Sequence, residues 1–227
     1  MMSTLLVKNA ALLATMDDSR QRILNGALYV EGNVIRQVGQ TADLPSDADQ
    51  VIDATGMVVL PGLVNTHHHL YQSLTRALPD AQDAKLFDWL RTLYPVWAGL
   101  SSESVYVSAL VALSELVLSG CTTVADHLYL YPNDSRIDDE IRAAQELGVR
   151  FHPSRGSMSL GTSKGGLPPD AVVEEEDAIL ADCRRAVEEF HDPTPFSMCR
   201  IVIAPCSPFS VSAELMRDSV SLAREYG

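Results

Sequence analysis

Residues 61–78, PGLVNTHHHLYQSLTRAL, decide how this chain folds, because a short apolar run leads directly into three consecutive histidines. The run reads as a β-strand that continues through LVNTHHH, and side chains on a strand alternate between its two faces. We therefore expect His67 and His69 to project to one side and His68 to the other. Two imidazoles on one face suit the capture of a borderline cation such as Zn²⁺, and a chance polar cluster in a loop is the alternative. Two ligands do not complete a metal site, so a further ligand must come from elsewhere.

Downstream of this stretch, strand-like and helix-like patterns alternate along the chain. The predicted strands are 63–69, 121–127, 149–155 and 200–210, and the predicted helices are 85–100 with a break near Pro95, 101–120, 136–148, 168–190 and 212–227. Such alternation indicates a parallel sheet with right-handed crossovers. A closed (β/α)8 barrel of the TIM type needs eight strand–helix units, and only about the first four are present here.

The first sixty residues have a different pattern, with short apolar or alternating runs and no helical period. Two alternating runs flank Glu31-Gly32-Asn33, which is typical of a β-hairpin. We therefore predict a small N-terminal β-sandwich portion over residues 1–60, followed by half of a barrel over residues 61–227.

Composition excludes several classes of protein. The formal net charge of −13 argues against nucleic acid or an anionic membrane surface as the main partner, because both require a basic footprint. No apolar run approaches the roughly 20 residues that span a bilayer, and the N-terminus lacks the pattern of a signal peptide. The four cysteines show no C-x-x-C spacing, which favours a reduced, cytoplasmic protein without disulfides.

Other polar residues lie at the predicted strand ends, where barrels place their substrate contacts. His127 and His152 are each compatible with the same site, although a lone histidine at a strand end is more often structural. Arg155 is suited to an acidic or carbonyl-bearing ligand, and an ion pair with one of the many acids is an equal alternative. Cys206 lies at the fourth strand end, where a small buried cysteine is the commoner case.

Several of these segments together resemble the amidohydrolase superfamily, in its chlorohydrolase and purine-deaminase branch. The motifs are residues 61–78, the preceding VIDATGMVVLPG (51–62), TTVADH (122–127), HPSRGSMSLG (152–161) and APCSPFSVSAELM (204–216). They extend over essentially the whole chain. The resemblance implies a (β/α)8 barrel and a β-sandwich built from both chain ends.

The resemblance also implies a metal site. His67 and His69 match the H-x-H pair of the first barrel strand, and the metal is expected to be one divalent ion, zinc, with iron as an alternative. The family takes its remaining ligands from strands five, six and eight and its proton-shuttling glutamate from near strand five. None has a counterpart here, so we expect the catalytic residues to lie beyond Gly227. We accordingly expect this chain to be a fragment that is inactive in isolation.

Within the branch, deaminases of oxidised guanine resemble this sequence at Cys206, where related enzymes carry histidine in an A-P-H-S pattern. By the same resemblance, Arg155, Gln72 and Trp89 are expected to contact the substrate. The implied activity is metal-dependent hydrolytic deamination of an oxidised purine, 8-oxoguanine, to urate and ammonia.

Two alternatives stay open. One is removal of an N-alkylamine from a hydroxylated triazine, which requires a larger apolar pocket near the leaving group. The other is a noncatalytic binding or scaffold protein that keeps the half barrel without a metal. The expected partner is a small molecule in the first two cases, and the sequence leaves open whether the chain forms a homo-oligomer.

Overall fold

The computed structural model describes residues 2–227, and the described chain divides after Gly62 into two compact units. The predicted boundary lies after residue 60, two residues earlier. None of the helices within residues 2–227 combines the length and the apolar character needed to cross a membrane.

The first unit contains two small β-sheets. Its strands are β1 (Thr4–Ala10), β2 (Leu12–Ala14), β3 (Arg22–Ile23), β4 (Gly26–Glu31), β5 (Val34–Gln40), β6 (Gln50–Asp53) and β7 (Val58–Val59). The larger sheet has the order β5-β4-β1-β6 and the smaller one the order β3-β2-β7. The antiparallel β4–β5 pair is the predicted hairpin, and Gly32 takes the positive φ of 60° that its turn requires. Ala10, Leu13 and Ala54 form the buried core of this unit.

The second unit is built on a four-stranded parallel sheet. Its strands are β8 (Leu63–Asn65), β9 (Cys121–Leu128), β10 (Arg150–Ser157) and β11 (Val202–Pro205), in the spatial order β11-β10-β9-β8. The helices between and after them are α1 (Leu86–Trp97), α2 (Ser102–Leu118), α3 (Ile137–Leu147), α4 (Glu176–Phe190) and α5 (Ala213–Tyr226). Short 3-10 helices cover 70–75, 79–81, 162–164 and 170–172. Sequential strands are therefore neighbours, as expected for consecutive strand–helix units.

The helices follow from local signals in the sequence. The Ser101 side chain accepts a hydrogen bond from the Ser104 backbone N–H and thereby caps α2. Gly148 ends α3 in the left-handed conformation, with φ of 69°. Apolar residues on α2 and α3, such as Leu113 and Ile141, pack against Val124 of β9 to form a core that excludes water.

Several predicted boundaries differ from the structure, among them the last strand, which covers Val202–Pro205 instead of 200–210. Strand β8 ends at Asn65 rather than at His69, because the Asn65 side chain accepts a hydrogen bond from the His67 backbone N–H and ends the extended run. Helix α1 shows no break at Pro95: it ends two residues later, so the missing proline N–H costs little. Strand β10 extends to Ser157, beyond the predicted end at residue 155.

Another difference is the start of α4, which begins at Glu176 instead of residue 168. The Glu174 backbone N–H donates to the Met158 carbonyl at 2.9 Å, and its carboxylate pairs with Arg155. These bonds hold the segment extended beside the end of β10, so the helix can begin only after it.

Gly156 is the point at which β10 approaches β9 most closely. A Cβ atom at this position would lie 2.5 Å from the Leu128 carbonyl oxygen, 2.6 Å from Tyr129 Cβ and 2.7 Å from His127 Nε2. These are backbone and packed ring atoms, so they cannot move aside cheaply. Glycine is therefore required here for steric reasons, and its absence of a side chain determines where His127 lies.

We predict that Gly156→Ala lowers the free energy of unfolding by about 1–3 kcal/mol, since the added methyl group overpacks this contact. Urea denaturation of the protein expressed from its complete gene measures the change. Gly99→Ala is the matched control, because a Cβ there meets only the Val96 carbonyl oxygen at 3.4 Å. Equal stability of the two variants would show that β9 and β10 are not packed this closely.

Candidate metal and substrate site

A cavity of about 440 Å³ opens at the carboxyl end of the parallel sheet. Its walls come from the segment after β8, helix α1, the end of β9 and the loop after β11. The residues that line it are His67, His69, Gln72, Leu86, Phe87, Trp89, Leu90, Tyr94, His127, Tyr129, Leu167, Cys206, Ser207, Phe209 and Ser210. Five of the six sequence-predicted site residues therefore share one cavity, and Arg155 does not line it.

The segment carrying the histidines is fastened to β9 through the main chain. The His127 backbone N–H donates to the His68 carbonyl at 3.0 Å, and the His69 ring nitrogen Nδ1 lies 2.7 Å from the His127 carbonyl oxygen. A carbonyl oxygen can only accept, so His69 carries its proton on Nδ1. This tautomer leaves the lone pair of His69 Nε2 available to a metal ion.

The three histidines divide as their spacing predicts, although they lie after the strand rather than within it. The rings of His67 and His69 are 5.1 Å apart between centroids, and both line the cavity. His68 lies apart from that cavity, with Nδ1 3.9 Å from Asp126 Oδ1. His67 and His69 therefore share the cavity because the chain turns after Asn65, and not because side chains alternate along a strand.

Burial favours the neutral form of two imidazoles in this cavity, His69 and His127. It lowers the pKa of His69, and the hydrogen bond to the His127 carbonyl offsets that effect only in part. The pKa of His127 is likewise lowered by burial. A neutral imidazole is the form that binds a metal, so His69 needs to lose no proton near neutral pH.

His127 contributes in a different way from His69. Its Nε2 lies 2.9 Å from the Ala204 carbonyl oxygen, so this nitrogen carries the proton and ties β9 to β11 across the site. Its ring centroid is 5.5 Å from that of His69. His127 thus forms part of the cavity wall, and one of its nitrogens is already used by the protein.

The residues present fit part of a metal site. His67 and His69 place two nitrogen donors in one cavity. The tautomer of His69 leaves its Nε2 unprotonated, as a metal ligand must be. Within residues 2–227, no group of three histidine, cysteine or acidic side chains could hold a metal ion. Because zinc takes at least three protein ligands, these two histidines would form the first part of a larger ligand set.

Beneath the histidines, a buried carboxylate supports the turn. Asp126 Oδ1 accepts a hydrogen bond from the Leu70 backbone N–H at 2.7 Å, directly after His69. Complete burial raises the pKa of Asp126 to about 7, and Glu140 is buried beside it. Asp126 therefore acts on the site by fixing the main chain that follows His69.

The opposite wall of the cavity is mainly aromatic. Trp89 packs edge-on against Trp97, with centroids 5.3 Å apart, and Phe87 meets Phe209 in the same manner at 5.5 Å. Cys206 lies between these walls, and burial raises the pKa of its thiol, so it stays protonated at neutral pH. These surfaces suit a flat, uncharged ring.

Arg155 forms an ion pair, which is the alternative that the sequence left open. Its guanidinium is 1% exposed and forms two hydrogen bonds to Glu174, at 2.7 and 3.1 Å, and one to Asp182 at 2.7 Å. It also lies over the Tyr131 ring, 3.8 Å from the centroid. Its position within β10 directs it toward α4 and away from the residues that line the cavity, so its expected contact with the substrate stays a prediction.

His152 is also remote from the cavity. It is the third residue of β10, and the positive charges of Arg150, which begins that strand, and Arg200, which precedes β11, lower its pKa together with burial. The expectation that it ends the strand was wrong, because the strand continues for five more residues. His152 therefore lies near the amino end of the sheet.

Tyr129 is one of the cavity residues that the sequence did not identify. It follows β9 directly, and its ring lies 5.3 Å from those of both His69 and His127. The available signal is LYLY (128–131) at the end of the predicted strand 121–127, because tyrosine hydroxyl groups there lie near a site at the strand ends. Tyrosine packs equally well in a core, so this signal alone does not distinguish the two roles.

The chain belongs to the amidohydrolase family, whose model matches residues 58–227. It is 47% identical over 204 residues to the 8-oxoguanine deaminase of Pseudomonas aeruginosa, covering 88% of this chain and 45% of that protein. It is 39% identical over 222 residues to the hydroxydechloroatrazine ethylaminohydrolase of Pseudomonas sp. (strain ADP), covering 90% of this chain and 46% of that one. The chain thus spans about half the length of these curated relatives.

A solved structure of similar fold is the atrazine chlorohydrolase of Arthrobacter aurescens TC1 complexed with zinc. The two match with a TM-score of 0.91 and 34% sequence identity, over 98% of this chain and 51% of that one. The predicted amidohydrolase membership is confirmed. The likeness to a zinc-complexed relative supports the expectation of a divalent metal.

We predict that Arg155→Met lowers the free energy of unfolding by about 3 kcal/mol, because it leaves Glu174 and Asp182 without their buried cation. Urea denaturation of the protein from its complete gene measures this. Arg217→Met is the control, since its pair with Glu214 is exposed and contributes little. A stable Arg155→Met variant with a raised KM would instead identify Arg155 as a substrate contact.

Proposed function

We propose that the protein hydrolytically deaminates an oxidised purine, converting 8-oxoguanine to urate and ammonia. The observation that carries this proposal is the 47% identity to an 8-oxoguanine deaminase over 88% of the chain. The aromatic cavity beside His67 and His69 supports it, since it accommodates a flat ring next to two metal-binding nitrogens. The proposal includes a complete (β/α)8 barrel, of which the four parallel strands described here are one part.

The chemistry replaces an amino group by a carbonyl group. Water adds to the ring carbon that bears the exocyclic amine, and ammonia leaves with its carbon–nitrogen bond broken. A divalent cation, zinc or iron, when bound by His67 and His69 with further ligands, supplies the Lewis acidity that makes water a nucleophile near neutral pH. No acidic side chain among residues 2–227 lines the cavity, so we assign no proton transfer to this part of the chain.

The described residues bind and orient the substrate. Trp89 and the neighbouring aromatic rings cover the faces of a planar ligand and exclude bulk water from it. The Cys206 thiol is a weak donor that contacts the ring edge without charge, whereas a histidine there would add a basic group. Gln72 supplies a side-chain amide between the histidines and Trp89.

A second candidate reaction is removal of an N-alkylamine from a hydroxylated triazine. The specific observation in its favour is the 39% identity to the hydroxydechloroatrazine ethylaminohydrolase. The apolar side chains Leu86, Phe87 and Leu90 at the cavity wall are compatible with an alkyl group near the leaving nitrogen. Both reactions break a carbon–nitrogen bond on a planar ring, so only relative rates separate them.

We predict that the zinc-loaded protein from the complete gene releases ammonia from 8-oxoguanine, with a kcat/KM at least a hundredfold above those for guanine and an N-ethyl hydroxytriazine. A coupled assay measures ammonia for 8-oxoguanine and guanine, and chromatography follows the loss of ethylamine. The His67→Ala/His69→Ala variant is the metal-site control and should lose metal and turnover together.

Preferred turnover of the triazine would contradict the purine assignment and support the second reaction. Retained turnover in the double histidine variant would contradict the assignment of the metal site. Failure on all three compounds by a correctly folded, metal-loaded protein would reject both reactions.

A further inference from the structure

Two carboxyl groups lie buried side by side behind the histidine segment, outside the cavity. Asp126 belongs to β9 and Glu140 to the first turn of α3, and they are 2% and 0% exposed. Neither residue lines the cavity. Burying two acids together is costly unless their oxygens are hydrogen-bonded, so the pair calls for a physical explanation.

Glu140 occupies a position that packing alone would give to an apolar residue. It lies three residues after Ile137 and four before Ala144, on the face of α3 that packs into the core. Both of these neighbours, and Ile141 beside it, are at most 2% exposed. A leucine at this position would fill the same space without burying a polar group, which indicates that the carboxyl group does more than fill the core.

The two carboxyl groups satisfy each other when they share one proton. If both were ionised, Asp126 Oδ2 and both oxygens of Glu140 would lack a hydrogen-bond donor among residues 2–227. The contact of Asp126 Oδ1 with His68 Nδ1 is 3.9 Å long, too long for a hydrogen bond. The Asp126 and Glu140 side chains are within hydrogen-bonding reach of each other, so one retained proton supplies the missing donor.

The proton belongs to Glu140 rather than to Asp126. Asp126 Oδ1 already accepts from the Leu70 backbone N–H at 2.7 Å, which stabilises the charged form of Asp126. Burial and the charge of Asp126 raise the pKa of Glu140, so Glu140 keeps its proton near neutral pH. The Asp126 carboxylate therefore accepts from both sides, from Glu140 on α3 and from the main chain of Leu70.

We propose that Glu140 is a positioning residue for the metal-binding segment, because its protonated side chain donates to Asp126 and holds that carboxylate against the Leu70 N–H. The path runs from α3 through Asp126 to the residue that directly follows His69. The inference rests on the part of the proposed function that makes His67 and His69 metal ligands. It does not depend on which planar ring is the substrate.

The test compares two substitutions of Glu140 in the protein from the complete gene. Glu140→Gln keeps a donor of nearly the same shape, whereas Glu140→Leu removes the donor and leaves Asp126 Oδ2 buried without a partner. Competition with a chromophoric chelator measures the zinc affinity of the metal-free protein. We expect Glu140→Leu to weaken zinc binding about tenfold, as the loss of a group that supports a metal ligand does, and Glu140→Gln to stay within about twofold of the wild type.

Ile141→Val is the matched control, since it shortens an apolar side chain on the same face of α3 and changes no polar group. It should lower the thermal midpoint and leave the zinc affinity unchanged. Equal zinc affinities of Glu140→Leu and Glu140→Gln would overturn the proposal. An equal loss of affinity in Ile141→Val and Glu140→Leu would also overturn it, because Glu140 would then act only through core packing.

Infrared spectroscopy detects the shared proton without zinc or turnover. A protonated carboxyl group has a carbonyl stretching band that carboxylates lack, and exposed acids are ionised at neutral pH. We expect this band in the wild-type protein and its loss in Glu140→Gln. A spectrum that the substitution leaves unchanged would overturn the proposal.

The metal assignment and the role of Glu140 are tested separately. If the wild-type protein binds no zinc, the metal site of the proposed function fails. Hydrogen exchange at the Leu70 amide still measures how firmly the segment is held: we expect exchange about tenfold faster in Glu140→Leu and little changed in Glu140→Gln. Equal exchange rates in the two variants would overturn the role of Glu140, whatever the zinc affinity.

Discussion

The hydrogen bond from His69 Nδ1 to the His127 carbonyl, 2.7 Å long, is the contact on which the rest of the site depends. It fixes the tautomer of His69 and ties the segment after β8 to the end of β9. The bond from the His127 N–H to the His68 carbonyl repeats this tie one residue earlier. Because both use main-chain atoms of β9, the position of the histidines follows directly from the parallel pairing of the two strands.

The same strand ends also build the other walls of the cavity. His127 Nε2 reaches the Ala204 carbonyl of β11, and this path is open only because Gly156 on the intervening strand has no side chain. Asp126 points to the other side of β9 and holds the Leu70 N–H. Successive residues of one strand therefore fix the histidine segment, the cavity wall and the distance between strands.

Much of this arrangement could be predicted from sequence because it depends on local signals. The hairpin around Gly32, the cap at Ser101 and the helix end at Gly148 each lie within a few residues of their cause. His67 and His69 were grouped correctly for a partly incorrect reason, since the turn at Asn65 replaces strand alternation. The partners of Arg155 could not be predicted, because Glu174 and Asp182 are 19 and 27 residues away and many acids compete.

The tautomer and metal affinity of His69 can be measured by histidine-selective ¹⁵N NMR on metal-free protein from the complete gene, with the signal assigned by its loss in His69→Ala. Our account predicts a protonated Nδ1, an unprotonated Nε2, and a shift of the Nε2 resonance when zinc is added. A proton on Nε2, or a His69 signal that zinc leaves unchanged, would contradict the assignment of this histidine as a metal ligand.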